Sequence, residues 1–269
     1  MHSSVFRDMF TIPLPSDEAM VEGCAVVVLQ GDTVRDWCLL LRAVFPKGLP
    51  DEVPSIDVIA AILRLSKKYD FPIFRKNCVD RLKGEFPASL EEYDDLDDWT
   101  YISGNCDGNV CMLLISLARE IGVYSVLPLS FALIVQEDML EVLRSDVALS
   151  SDDRLACLTG YFNLLKLQST TTMAWLGLGS KSHIPCSNCL QPSKCPAAVK
   201  EIALKTLKSN PPELRVTRRW LEEWDKEMCR HCRKTAKDIY DTGRDTCWTQ
   251  LPAAFGLPSW EELKSMDFE

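Results

Sequence analysis

Apolar residues fall at helical spacing through most of this chain, and one short stretch has the continuous apolar character of a strand. That stretch is Ala25-Val-Val-Val-Leu29, closed by a turn at Gln30-Gly31-Asp32. Trp37, Leu40, Leu41 and Val44 then predict a helix over Val34–Phe45 with one buried face. Thr33 is its N-cap, Asp36 holds the capping-box position, and Pro46, Gly48 and Pro50 end it. A helix pair over Ile56–Lys83 follows. Its first member, capped by Ser55, carries a stripe of Val58, Ile62, Leu65 and Tyr69 against Arg64, Lys67 and Lys68. Its second starts near Pro72, lines one face with Phe74, Cys78 and Leu82, and stops at Gly84 and Pro87.

An acidic stretch, Glu91-Glu-Tyr-Asp-Asp-Leu-Asp-Asp98, reads as a solvated linker. Beyond it the spacing predicts helices over Val110–Gly122, Val126–Leu143 and Arg154–Leu167, then a loop at 168–173 and Gly177-Leu-Gly179. Two more helices are expected over Ala197–Ser209, ended by Asn210-Pro-Pro212, and over Glu213–Thr242, ended by Gly243. The apolar tail Trp248-x-x-Leu-Pro-x-x-Phe-Gly-Leu-Pro-x-Trp260 should pack back on the domain. The fold class is therefore mainly α with a small β remnant. The expected organisation is a first unit over 1–88, an acidic linker over 89–108 and a helical domain over 109–269, its cysteine-bearing part at 183–247.

Net charge is −9 over 269 residues, which argues against an electrostatic nucleic-acid binder. Residues 200–244 depart from this, with 12 Lys and Arg against 8 Asp and Glu. The longest uncharged run, Ile121–Gln136, is short for a membrane span and contains Pro128. No secretory leader is recognisable after Met1, and no Asn-x-Ser/Thr sequon occurs. The 12 cysteines are accordingly expected to be reduced, in an intracellular protein of the cytoplasm or nucleus.

Those cysteines include two pairs with zinc-ligand spacing, Cys186-x-x-Cys189 and Cys229-x-x-Cys232. Two thiolates two residues apart can bite one tetrahedral ion, and two such pairs complete a site for one structural zinc. The first pair is expected on a turn and the second on the long helix, with Cys195, Cys247, His183 and His231 as alternative ligands. A second reading makes Cys232 a small core residue, continuing an apolar stripe of Leu221, Trp224 and Met228 toward Ala236 and Ile239. The cysteines at 24, 38, 78, 106, 111 and 157 read as core or neutral positions.

Phosphate-binding loops, nucleophile elbows and His-Glu-x-x-His helices have no counterpart here, so an enzyme is not expected. Arg215-x-x-Arg-Arg219 beside Trp220 and Trp224 reads as the charged face of a helix rather than a nucleic-acid contact.

His2-Ser-x-Val-Phe-x-x-Met-Phe10, the strand at 25–29, the helix with Trp37 and Leu40-Leu41, and Leu63-x-Leu-x-x-Lys-Tyr69 occur in the order of a BTB/POZ domain. The chain resembles the back two-thirds of such a domain, without its opening strands and most of its first helix. Leu82-x-x-Glu-Phe-Pro87, Leu117-Ala-Arg-Glu120, the Cys229-x-x-Cys232 helix and the Trp248–Pro258 tail are similar to a large BTB-containing family of mushroom-forming fungi. The resemblance implies a partial BTB unit followed by a helical region, working as a protein–protein interaction module. Implied partners are proteins, among them a second copy or other BTB proteins. Adaptors of cullin-type ubiquitin ligases carry a hydrophobic-x-Glu element before this strand, where this chain has Met20-Val-Glu22. A cullin adaptor is thus one rival role, and a zinc-stabilised transcription or chromatin-associated factor is another. The missing elements would leave the strand short of partners and the 37–44 helix less covered.

Overall fold

A computed structural model describes residues 2–13, 20–45, 53–96, 99–104, 108–136, 144, 149–177, 182–208 and 213–268. Pro46, Gly48, Pro50, Asp97, Asp98, Cys106, Gly179, residues 137–143 and Asn210-Pro-Pro212 lie outside the described residues. The protein is mainly helical, with 67% of residues in helix and 2% in strand.

Helix α1 (Ser4–Met9) starts at Ser3, whose hydroxyl accepts the Phe6 N–H at 3.1 Å and donates to the Tyr69 carbonyl. Phe6 stacks on Tyr69 at 5.1 Å and meets Trp37 edge-on at 5.8 Å. One turn thus fastens the first residues to two later helices.

β1 (Met20–Val21) and β2 (Cys24–Ala25) form an antiparallel hairpin through Glu22 and Gly23, both at positive φ. Two left-handed residues are what a two-residue hairpin turn needs. The expected strand at 25–29 is thus displaced and shortened. Residues 26–30 are outside any strand, and the described pairing is Met20 with Ala25 and Val21 with Cys24.

α2 (Val34–Val44) begins at Thr33, whose hydroxyl accepts the Asp36 N–H at 3.0 Å. Leu40 is fully buried and Trp37 and Val44 pack beside it, but Leu41 faces out. α3 (Ile56–Tyr69) and α4 (Pro72–Glu85) form the expected pair. Gly84 is helical, not a stop; a Cβ there would meet the Tyr101 ring at 3.0 Å. α5 (Leu90–Asp95) stands in place of the expected acidic linker. Ser89 caps it, and Asp94 is drawn into an ion pair with Arg244. Acidity here serves a helix start and one buried cation.

α6 (Gly108–Ile121), a 3-10 turn at Tyr124–Val126, α7 (Leu127–Gln136) and α8 (Ser151–Thr170) build the centre. Lys67 on α3 donates to the Glu120 and Ile121 carbonyls at 2.7 and 3.1 Å, closing the end of α6. α9 (Lys194–Leu207) follows a cysteine-bearing loop. The helix expected over Glu213–Thr242 is replaced by non-helical backbone from 213 to 221 and a 3-10 turn at Glu222–Lys226. α10 (Arg230–Ala254) begins only at Arg230 and runs straight through Gly243, the expected stop. α11 (Trp260–Met266) closes the fold behind a full capping box of Ser259 and Glu262.

Two apolar clusters result. The larger extends from Leu40 to Trp260 and joins α2–α8 to the end of α10. The smaller gathers Trp175, Ile184, Cys195, Ile202, Trp224, Cys232 and Tyr240. The apolar tail packs back as expected: Trp248 and Trp260 stack at 5.7 Å, and the Trp248 indole donates to the Ala88 carbonyl at 3.1 Å. No helix among the described residues is long and apolar enough to cross a membrane.

Candidate functional site

The smaller cluster ends in a group of thiols. Cys186 and Cys189 sit on a turn closed by a 3.0 Å hydrogen bond from the Cys189 N–H to the Cys186 carbonyl. Cys229 is the N-cap residue of α10, and Cys232 lies in its first turn. Cys195 is the second residue of α9. The Cys186 and Cys232 sulfurs are 3.6 Å apart, and those of Cys189 and Cys229 are 3.9 Å apart. The sulfurs of Cys189, Cys195, Cys229 and Cys232 all lie within 4.8 Å of one another. A tetrahedral ion with bonds of about 2.3 Å needs sulfurs roughly 3.8 Å apart, so these spacings match its edges. Four cysteines here can hold a metal ion.

Backbone N–H groups point at the sulfurs. Cys195 Sγ accepts from Cys229 N at 3.3 Å, and Cys189 Sγ accepts from Gln191 N at 3.4 Å. The N–H of Cys232 has the largest influence on Cys229 and helps lower its thiol to about 6; burial opposes it and the N–H of Leu190 assists. A thiol at a helix N-terminus is favoured as thiolate for the same reason. Burial pushes the thiols of Cys195 and Cys232 up. A bound cation would favour the thiolate at every ligand.

Three of the four cysteines with metal-ligand spacing, Cys189, Cys229 and Cys232, fall in the group within 4.8 Å; Cys186 is outside it, its sulfur beside that of Cys232. Cys195, which lies outside both pairs, belongs to the tightest group. Nothing local to Cys195 signals this; α9 carries it in. Cys247, His183 and His231 lie away from the cluster. Cys247 is buried against Thr171, its sulfur 3.0 Å from the hydroxyl, and His183 is exposed. His231 accepts from Arg230 on the surface of α10. The core reading of Cys232 describes the same atoms, since Cys232 and Ala236 are both fully buried.

A second feature is an exposed apolar face on α2. Val34, Cys38, Leu41 and Phe45 recur every three or four residues and so share one side of α2. Val34 is 81% exposed, Leu41 45% and Phe45 68%; Cys38 is also exposed. Val26, Val27 and Val28 precede them, exposed and outside any ladder. A helical stripe that counts Leu41 as buried conceals this face. Met20 and Glu22, expected just before the strand as a partner-binding element, are exposed on the hairpin and its turn.

The basic residues near 215 are not a helical face. Arg215 and Arg218 pair with Glu213 at 2.9 and 3.1 Å, and Arg219 reaches Asp94 at 3.5 Å. Arg215 is buried at its pair, whereas the Arg218 and Arg219 side chains remain 45% and 63% exposed. No protein-family model, no curated protein and no solved structure matches this chain.

Proposed function

We propose that this chain is a protein–protein interaction module of BTB type, with no catalytic role, whose C-terminal lobe is organised by one structural zinc. The apolar face of α2 carries the reading. Three large side chains and a cysteine in line on one helix form the kind of exposed apolar face that partner proteins cover. The partner is a protein, a second copy or another BTB-type chain. The α2 helix followed by the α3–α4 pair, in the order the BTB resemblance expects, supports the reading. A cluster of five neighbouring thiols persists in a reducing compartment, which supports work in the cytoplasm or nucleus.

Light scattering after size-exclusion chromatography tests the reading. The wild-type chain should run above its 30.4 kDa monomer mass, alone or with a partner, and Leu41→Asp should return it to monomer with its fold intact. Unchanged mass for Leu41→Asp and for Phe45→Asp would remove this face from the account. A cullin adaptor is the second reading, favoured by the exposure of Met20, 55%, two residues before Glu22. It predicts that Glu22→Lys abolishes cullin co-precipitation; equal capture by that variant would sink it.

A further inference from the structure

Five sulfurs meet where a tetrahedral ion takes four. We propose that the cluster holds a single zinc ion and that Cys186 and Cys195 are interchangeable as its fourth ligand. The inference rests on the zinc reading above.

Three sulfurs are common to both arrangements: Cys189, Cys229 and Cys232, which share the group within 4.8 Å. Cys195 completes that group from α9. Cys186 lies outside that group but with its sulfur 3.6 Å from that of Cys232, near the edge length of a tetrathiolate tetrahedron. Its chain position also favours ligation, because its turn with Cys189 presents both sulfurs of one pair. Among the described residues, neither candidate sulfur is held by a hydrogen bond outside the cluster. Cys195 Sγ accepts the N–H of Cys229, a bond that suits it as thiolate ligand and as spare thiol alike. A second ion is not required by five sulfurs, since two tetrahedral ions would share them only through bridging thiolates.

Exchange is balanced in charge and protons. When Cys186 binds, its thiol gives up one proton; when Cys195 leaves, its thiolate takes one up. The metal stays divalent and four-coordinate. Half-buried Cys186 is the more accessible of the two, and buried Cys195 the more enclosed. The ion thus has an outer and an inner seat.

The test uses the full chain with Zn(II) in competition with a chromophoric chelator, and Co(II) absorption to report thiolate number. Wild type should bind one ion. Cys186→Ser and Cys195→Ser should each keep one ion and the four-thiolate Co(II) spectrum, with affinity falling less than about tenfold, while the double variant should fall more than about a hundredfold. Cys189→Ser, Cys229→Ser and Cys232→Ser should each lose the four-thiolate spectrum. If one single variant at 186 or 195 falls as far as the double, the ligand set is fixed and the proposal is overturned. Wild type that binds no zinc would overturn the zinc reading itself, a different result. Cys195→Ala serves if serine disrupts the buried position. If neither variant folds, wild type alkylated at Cys186 is weighed by native mass spectrometry. Retained zinc supports the exchange, and lost zinc overturns it.

Discussion

A Cβ placed on Gly243 would lie 2.5 Å from the backbone nitrogen of Thr172. Helix α10 crosses the end of α8 at that point, and the crossing is tight enough that only hydrogen fits. Gly243→Ala should therefore destabilise, with about 3 kcal/mol of overlap set against roughly 1 kcal/mol gained in helix propensity. Thermal or denaturant unfolding checks it. Stability equal to wild type would mean that the two helices separate freely there.

Arg244, the next residue, donates to both carboxylate oxygens of Asp94 at 2.9 and 2.6 Å and to the Thr217 carbonyl at 2.9 Å. Burial acts to raise the Asp94 carboxyl, but the hydrogen bond and charge of Arg244, with Arg219, outweigh it and hold it below its ordinary 3.8. A carboxyl depressed by folding stabilises the fold above its unfolded value, and that stability is lost as pH falls through the folded value. Wild type should thus weaken more steeply than Asp94→Asn on acidification below about pH 4. Arg244→Met should cost about 2–3 kcal/mol at neutral pH, less than a fully enclosed pair, since Asp94 is 30% exposed. Parallel pH–stability curves for wild type and Asp94→Asn would refute the linkage.

Glu85 uses one carboxylate oxygen to accept three backbone N–H groups, from Thr100, Tyr101 and Ile102, at 3.2, 2.7 and 3.1 Å. It pins the segment after α5 against the end of α4. Glu85→Ala should cost about 2 kcal/mol, chiefly by leaving the buried Ile102 N–H without its acceptor, and Glu85→Gln less, since its amide oxygen still accepts. Hydrogen exchange at amides 100–102 is the direct readout. Unchanged protection in Glu85→Ala would show that the loop is held by other means.

The α3–α4 pair is legible in the sequence because caps, proline and periodic apolar residues agree locally. The 213–229 segment is not, because its structure is imposed from afar. Leu221, Trp224 and Met228 do fall at helical spacing, yet Gln168 bonds both the Glu213 carbonyl and the Arg215 N–H. The Tyr240 hydroxyl donates to the carbonyls of Arg215 and Arg218. Backbone groups satisfied by distant side chains have no need of a helix. Gly243 misleads for a related reason: a glycine demanded by a neighbour looks, in sequence, like a glycine that ends a helix.

At the thiol cluster, spacing identifies both cysteine pairs because two-residue separations are a local property. The inclusion of Cys195 depends on where α9 begins relative to α10, which no local pattern encodes. The outward turn of Leu41 is also nonlocal. It follows Leu40 in a run of three leucines, and which of them faces in depends on where α3 packs.

The Asp267 side chain is fully buried, accepting from the Ser125 N–H and hydroxyl at 2.9 and 2.6 Å and pairing with Lys83 at 3.0 Å. Phe268 lies under Arg75 and donates its N–H to the Gly122 carbonyl at 2.7 Å. The helices encoded early in the message thus keep part of their native surface bare until residues near 267 have been synthesised. During translation α4 meets this clasp only after more than a hundred further residues have been added.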